Sequence, residues 1–263
     1  IDVSEFKDEG EKLRKNYIHL KVDICDKVKL NKIIKKYKPK YIFHLAAETH
    51  VDKSIDTPDN FISTNIVGTF NLLNSSLKYW KSLTKNNKSK FKFIHISTDE
   101  VYGDLGNTTK KFNENFKYQP NSPYSASKAS SDHFVKAWFK TYNLPTIITN
   151  CSNNYGPYQF PEKLIPLTIM SALRGEKIRV YGDGKQIRDW IHVFDHVDAL
   201  IKVMRNGRAG ETYNIGSGRP VKNIKLVKDI CNLLNKMIND KPKKIVNFNT
   251  LISFVKDRPG HDI

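Results

Sequence analysis

Short apolar runs of strand length alternate with amphipathic stretches of helical length, and that alternation leaves few folds open to this chain. Tyr41–Ala47 (YIFHLAA) and Phe91–Thr98 (FKFIHIST) are near-continuous apolar runs, the mark of strands buried on both faces of a parallel sheet. Tyr17–Ile24 (YIHLKVDI) and Pro145–Ser152 (PTIITNCS) read as further strands. Between them, Lys27–Tyr37 has apolar residues at helical spacing and stops before Pro39. Asp59–Trp80 is a long helical stretch, and Ser122–Tyr142 is another. Thr84–Lys90 (TKNNKSK) reads as a polar loop. The β-α-β-α order predicts an α/β fold built on a doubly wound parallel sheet.

Beyond residue 153 the texture changes. A loop, Tyr155–Pro161, leads into short elements separated by glycine turns, with helices expected at Leu164–Arg174, Asp195–Arg205 and Lys222–Ile238. Residues 1–153 are expected to form the sheet domain. Residues 154–263 are expected to form mainly a smaller α+β lobe, with segments near 190–216 returning to the first domain. No internal repeat is visible.

Composition narrows the function. Lys and Arg total 44 against 27 Asp and Glu, a net charge of +17, which invites a nucleic-acid reading. Only 8 of the 44 are Arg, however, and the lysines are scattered along the chain. Nucleic-acid recognition favours Arg forks and interleaved aromatics, so no nucleic-acid partner is expected. No apolar run is long enough to span a membrane, and no membrane partner is expected. The three cysteines, Cys25, Cys151 and Cys231, include no CxxC pair, so neither a disulfide framework nor a metal site is expected. A cytoplasmic location is the default.

The chemistry concentrates in two places. Tyr124 and Lys128 stand four residues apart at the start of a helix, so phenol and ammonium share one face. A lysine near a phenol favours phenolate, and such a Tyr can take a proton from an alcohol. The spacing alone is weak in a Lys-rich chain. Its context is Thr98-Asp99-Glu100, at the C-terminal end of a buried strand, the ligand edge of an open α/β sheet. Two adjacent acids there can divide general-acid and general-base work. The bland alternative is a turn or a helix cap.

Nine segments then point one way: VDICD (Val22–Asp26), HLAAETHVDKSI (His44–Ile55), FISTNIVGT (Phe61–Thr69), STDEVYGD (Ser97–Asp104), SPYSASKASSDH (Ser122–His133), NNYGPYQFPEKLIP (Asn153–Pro166), GDGKQIRDWIHVFDH (Gly182–His196), ETYNIGSG (Glu211–Gly218) and DRPGHD (Asp257–Asp262). Together they resemble the nucleotide-sugar 4,6-dehydratases of the extended short-chain dehydrogenase/reductase superfamily, most closely those acting on dTDP-glucose. The Thr-Asp-Glu triplet discriminates. Related sugar epimerases carry small or hydroxyl residues at the acid pair, and decarboxylases typically keep only the Glu.

The resemblance implies a Rossmann domain that binds NAD and a lobe that binds the nucleotide sugar. It implies that Tyr124, poised by Lys128, removes the 4-hydroxyl proton, that Glu100 takes the proton from carbon 5, that Asp99 protonates the departing 6-hydroxyl, and that Thr98 positions the 4-oxygen. It implies cofactor contacts at Asp23, Ile24, Leu45, Ala46, Ala47, Glu48, Thr64, Tyr124, Lys128 and Asn154. The Ala46-Ala47 pair equally suits tight packing alone. Substrate contacts are implied at His50, Thr98, Asn153, Lys163, Leu164, Arg179, Val180, Tyr181, Arg188, Asn214, Arg258 and His261. His50 equally suits a structural role, and Arg188 a salt bridge to Asp189 or another acid. A homodimer is implied, pairing the Asp59–Trp80 and Ser122–Tyr142 helices as a four-helix bundle, with Phe61, Phe70, Phe134 and Trp138 as contributors, although the same apolar residues equally suit packing on the sheet.

One departure stands out. The family opens with a strand and a GxGxxG turn that seats the pyrophosphate on a helix N-terminus. This chain has no such turn, so the expectation is a fragment lacking roughly 50 N-terminal residues, by analogy with a βαβ unit, and also a C-terminal stretch. A UDP-glucose enzyme and a non-catalytic nucleotide-sugar-binding relative are the competing readings.

Overall fold

The computed structural model describes residues 16–106, 111–242 and 245–260. Lys27–Tyr37 forms the first helix (α1). The Asp26 carboxylate caps it by accepting from Lys29 N at 3.0 Å, and Lys38 closes it in the left-handed conformation. Tyr41–His44 is β1. Two short helices follow, Val51–Asp56 (α2) and Pro58–Phe61 (α3), then a wider π-helical segment, Ile62–Gly68, that runs on into Thr69–Lys81 (α4). The expected long helix is thus one winding path with a π segment inside it. The stretch read as a polar loop winds instead into Lys85–Lys90 (α5), because the Thr84 hydroxyl accepts from Asn87 N and caps it.

Lys92–Thr98 is β2, and Asp99–Tyr102 is a single 3₁₀ turn directly on its end. Pro123–Tyr142 (α6) starts from a reciprocal capping box, Ser125 N to Ser122 Oγ at 3.1 Å and Ser122 N to Ser125 Oγ at 3.0 Å, with Pro123 in the first turn. Asn143, at φ 55°, ends it. Then come Thr146–Cys151 (β3), Asn153–Tyr155 (β4), Leu164–Arg174 (α7), Ile178–Tyr181 (β5), Ile187–Arg188 (β6), Trp190–His192 (β7) and Val193–Asn206 (α8). Thr212–Ile215 (β8), Val221–Lys222 (β9), Asn223–Met237 (α9), a 3₁₀ turn at Phe248–Leu251 and Ile252–Val255 (β10) complete the order.

The main sheet has the order β1-β2-β3-β8, and every pairing is parallel. Its last strand comes from far along the chain, with Ile148 facing Thr212 and Cys151 facing Ile215. Short pairings join β4 to β7, β5 to β10 and β6 to β9. Tyr17–Ile24 is not a strand here, because it finds no ladder partner among the described residues and a strand exists only as one side of a ladder. Val22 nevertheless packs on the core.

One face of the sheet meets α1, α4 and α6 through Leu30, Leu73, Phe93, Val135 and Ile148. Each such buried side chain contributes about 1.5–3 kcal/mol. The other face meets α8 through Phe43, Ile96, Ile191, Leu200 and Ile215. A separate core gathers Ile178, Val180, Val227 and Phe248 between β5, α7 and α9. Two expected surface roles change here. The Val180 side chain is 3% exposed in that second core, so it offers no side-chain contact to a ligand. Phe61 is buried against the Tyr124 ring, so it is not on a free helix face.

Gly210 fixes the turn into β8. Its φ is +88°, and a Cβ there would stand 2.2 Å from Phe139 Cε1. Gly210→Ala therefore adds backbone strain and a clash with a ring held by α6. It is expected to cost about 2 kcal/mol or more and to lower the denaturation midpoint in urea.

Candidate active site

The sheet brings its ligand edge to the C-terminal end of β2. Thr98, buried, ends the strand, and its hydroxyl accepts from Glu100 N at 3.3 Å, which folds Asp99 and Glu100 into the 3₁₀ turn. The acid pair thus both makes a turn and faces a cleft of about 460 Å³. Burial, and then repulsion from the Glu100 carboxylate, push Asp99 up to about 7, although Arg188 pulls the other way. One carboxyl of the pair is therefore half protonated near neutrality beside one that bears charge, the asymmetry that acid–base division requires.

Tyr124 arrives from the first turn of α6, nearly buried, with its phenol hydrogen-bonded to Thr98. The expectation of a phenol made acidic by Lys128 is not met in this ligand-free state. Burial raises Tyr124 well above 10, and the Glu100 charge adds to that. Lys128 Nζ is drawn to the Ile96 carbonyl at 2.8 Å, and burial lowers its own pKa. The phenol is thus a protonated group that needs further positive charge before it can act as a base.

Arg188 and Asn214 enter the same cleft from β6 and β8. Arg188 Nη1 donates to the Ile187 carbonyl at 2.7 Å. The Asp189 carboxylate accepts from Ser217 N at 2.7 Å and Arg219 N at 2.9 Å, fixing the glycine-flanked loop after β8. Asn214 Oδ1 accepts from Tyr102 OH at 2.8 Å.

The residues expected on the cofactor side gather at the end of β1. Leu45, 59% exposed, and Ala46 leave the strand end open, and Ala47 is half-buried. The Glu48 main chain is held from both sides by Asn65, with Glu48 N to Oδ1 at 2.8 Å and Nδ2 to Glu48 O at 3.0 Å. Asn65 in turn donates to Ser127 Oγ of α6 at 2.8 Å. An open strand end with two alanines and a rigid main chain fits close approach of a dinucleotide. Thr64 lies half-buried in the π segment. Asp23 Oδ1 accepts from Cys25 N at 2.7 Å, and Ile24 packs where Gly68 lacks a Cβ. The Asn154 carboxamide is turned to His196 Nδ1 at 2.7 Å and to the Ser152 carbonyl at 3.1 Å.

A second group lies on the far side of Glu100. Lys163 donates to the Thr49 carbonyl at 3.0 Å and senses the Glu100 charge. Leu164 begins α7 on the second core, and Asn153 N donates to the Asp189 carbonyl at 3.1 Å. His50 Nδ1 caps α2 by accepting from Lys53 N, and Nε2 lies 3.4 Å from Glu162. Asp52 is a hub that sequence reasoning missed. It accepts from Tyr181 OH at 3.1 Å and pairs with Arg258 at 3.3 Å, tying α2 to the second core. Arg179 is exposed on β5. His261 lies outside the described residues.

Sequence reasoning also missed Asn65 and a buried cluster formed by Ser97, His95 and Asp132. Asp132 had a signal, since it repeats the four-residue spacing of Tyr124 and Lys128. His95 had none, being a lone histidine in an apolar strand.

With this geometry in place, the similarities to known proteins can be read. The family model described as GDP-mannose 4,6 dehydratase matches residues 2–263. A dTDP-glucose 4,6-dehydratase of Neisseria meningitidis serogroup B is 56% identical over 247 residues, covering 94% of this chain and 70% of that relative. Among solved structures, the dTDP-glucose 4,6-dehydratase DesIV of Streptomyces venezuelae, with NAD and TYD bound, superimposes with a TM-score of 0.79 at 38% identity. It covers 92% of this chain and 67% of its own. The dTDP-glucose 4,6-dehydratase of Bacillus anthracis, in complex with NAD, has a TM-score of 0.79 at 42% identity, covering 99% and 72%.

Proposed function

This chain belongs to the GDP-mannose 4,6 dehydratase family, and from that premise we propose that it is an NAD-dependent lyase converting dTDP-glucose to dTDP-4-keto-6-deoxyglucose. The observation that carries the reading is the Thr98-Asp99-Glu100 turn, with Asp99 pushed up to about 7, facing a cleft shared with Arg188 and Asn214.

Leu45, Ala46, Ala47, Glu48 and Thr64 would hold NAD, with Tyr124 and Lys128 at its nicotinamide end. When bound, NAD supplies hydride removal from carbon 4 and hydride return to carbon 6. The chain's own residues move the protons. Tyr124 accepts the 4-hydroxyl proton, and Thr98 holds that oxygen. The 4-keto group acidifies carbon 5, from which Glu100 takes a proton. Asp99, still carrying its proton near neutrality, passes it to the 6-hydroxyl so that water and not hydroxide leaves. Glu100 then returns the proton to carbon 5. Arg188 presents a guanidinium to the diphosphate, a match of fork to oxygens.

An exposed apolar surface supports a homodimer. Ile62, Val67 and Phe70 stand out from the winding path leading into α4, and Phe70 forms an edge-to-face cluster with Phe134 and Trp138 of α6. Trp138 is itself buried within one chain, so Phe70 and Phe134 would carry the contact. Among the described residues no helix is long and apolar enough to cross a membrane.

The deciding experiment incubates the intact protein with NAD+ and either dTDP-glucose or UDP-glucose, and follows the alkali-induced absorbance of the 4-keto-6-deoxy product. Product from dTDP-glucose, lost in Glu100→Gln, is the expected result. Product from UDP-glucose alone would transfer the assignment to that sugar nucleotide. No product from either, with NAD bound, would overturn the dehydratase reading.

A further inference from the structure

The chemistry proposed above depends on Lys128, and α6 places one more ionisable group on the same face. Tyr124, Lys128 and Asp132 follow one another at four-residue steps, so all three side chains project from one side of the helix. Asp132 is fully buried. A carboxylate there is costly unless it is partnered. Ser97 Oγ of β2 donates to Oδ2 at 2.8 Å, Tyr118 faces the carboxylate, and His95 Nε2 lies 3.2 Å from Oδ1 without hydrogen-bonding it.

Three consecutive residues at the end of β2 are each tied to one member of the helical row. The Ile96 carbonyl takes Lys128 Nζ at 2.8 Å, the Ser97 hydroxyl donates to Asp132 at 2.8 Å, and Thr98 lies beside the Tyr124 phenol. The acid pair follows at once. Asp132 thus sits where it can govern both the seat of the Thr98-Asp99-Glu100 turn and the charge beside Tyr124.

We propose that Asp132 is a positioning residue of the dehydratase site, clamping the end of β2 to α6 and supplying the buried negative charge that keeps Lys128 an ammonium. This inference rests on the reading of Tyr124 and Lys128 as the alcohol-activating pair. The surrounding groups leave Asp132 this role. His44 of β1 and His95 of β2 are held well below 6.5 by burial and are neutral at neutral pH. The Cys151 thiol of β3 is pushed up to about 12, and the phenols of Tyr118 and Tyr124 are raised, so all three are uncharged. Lys136, one turn further along α6, is the other cation that Asp132 senses. After burial, the attraction of Asp132 is the largest influence on Lys128. Asp132 itself is raised to about 6, chiefly by burial, so it is ionised at pH 8 and loses its charge as pH falls through 6.

The test uses Asp132→Asn, which keeps the shape and an acceptor for Ser97 but carries no charge. In ligand-free protein, the Lys128 ammonium is followed by NMR titration of labelled lysine, assigned by its absence in Lys128→Met. Its pKa is expected to fall by about one unit in Asp132→Asn. In the NAD+-loaded protein, kcat is expected to fall about 10-fold or more while KM stays within about twofold. The rising limb of kcat against pH is expected to move up by about one unit, because phenolate loses its supporting cation. Asp132→Glu is expected to restore part of both. Ser97→Ala keeps the charge and releases one oxygen, so it moves the limb less and in the same direction. It also serves if Asp132→Asn fails to fold.

A Lys128 titration and a limb position both unmoved in Asp132→Asn, with only thermal stability reduced, would make Asp132 a fold support and overturn the proposal. A wild-type protein that turns over no nucleotide sugar, yet shows the Lys128 shift, would sink the dehydratase reading and leave the charge clamp standing.

Discussion

Asp99→Asn is expected to lower turnover about 10²–10⁴-fold while making the ligand-free protein more stable. The two effects share one cause. Burial and the neighbouring Glu100 charge raise Asp99 from 3.8 to about 7 in the folded protein. The folded state therefore holds that proton more tightly than the unfolded chain does. Stability is lost as pH rises from about 4 to about 7, and the deficit persists above that. A difference of about three pKa units corresponds to about 4 kcal/mol, and partial solvent access brings it nearer 2. Asn carries no charge at any pH, so the variant is expected to gain roughly 2–4 kcal/mol at pH 8 and almost nothing at pH 4. Urea denaturation at the two pH values reads the difference. In the wild type, kcat/KM should decline above about pH 7 as the acid loses its proton. A variant that is less stable at pH 8, or that retains turnover, would remove Asp99 from the general-acid role.

Tyr124→Phe is the second large effect, about 10²–10⁴ in kcat, because Tyr124 is the group read as taking the 4-hydroxyl proton and Phe leaves no acceptor in its place. A spectroscopic consequence accompanies it. The ligand-free phenol is held well above 10 by burial and by the Glu100 charge. Tyrosinate titration of ligand-free wild type and of Tyr124→Phe should therefore superimpose up to about pH 10. They should separate at lower pH only when NAD+ is bound and its positive ring joins Lys128. Early tyrosinate in the ligand-free wild type, absent from the variant, would show a phenol already activated without cofactor.

These charge effects mark the boundary of what the residues alone disclose. The four-residue step from Tyr124 to Lys128 is legible because a helix turns a linear spacing into a shared face. What burial then does to each group is not legible, because desolvation depends on what the rest of the chain packs on top. Spacing predicted an acidic phenol, and the folded, ligand-free site has a basic one. The strands at β2 and β3 are legible because both faces are buried and the apolar run is unbroken. Tyr17–Ile24 has the same texture, but its strand state depends on a neighbour that no local pattern specifies. Val180 misleads for a related reason: alternation along β5 shows that one face is buried, but not whether the ligand or the second core lies on that side. Asp52, joining Tyr181 and Arg258, unites positions more than 120 residues apart, and nothing local to any of them signals the meeting.

The late arrival of β8 has a consequence during synthesis. β3 offers its edge to Thr212–Ile215, and 60 residues, Ser152 to Glu211, separate the two strands. A ribosome adding about 5–20 residues per second needs roughly 3–12 seconds to deliver them. Through that interval the nascent chain carries Thr146–Cys151 paired on one side only. Its open side is buried in the finished protein and has no charge to repel a second chain. Slower elongation across residues 152–211 should therefore lower the soluble yield, and a holdase acting in that window should recover it.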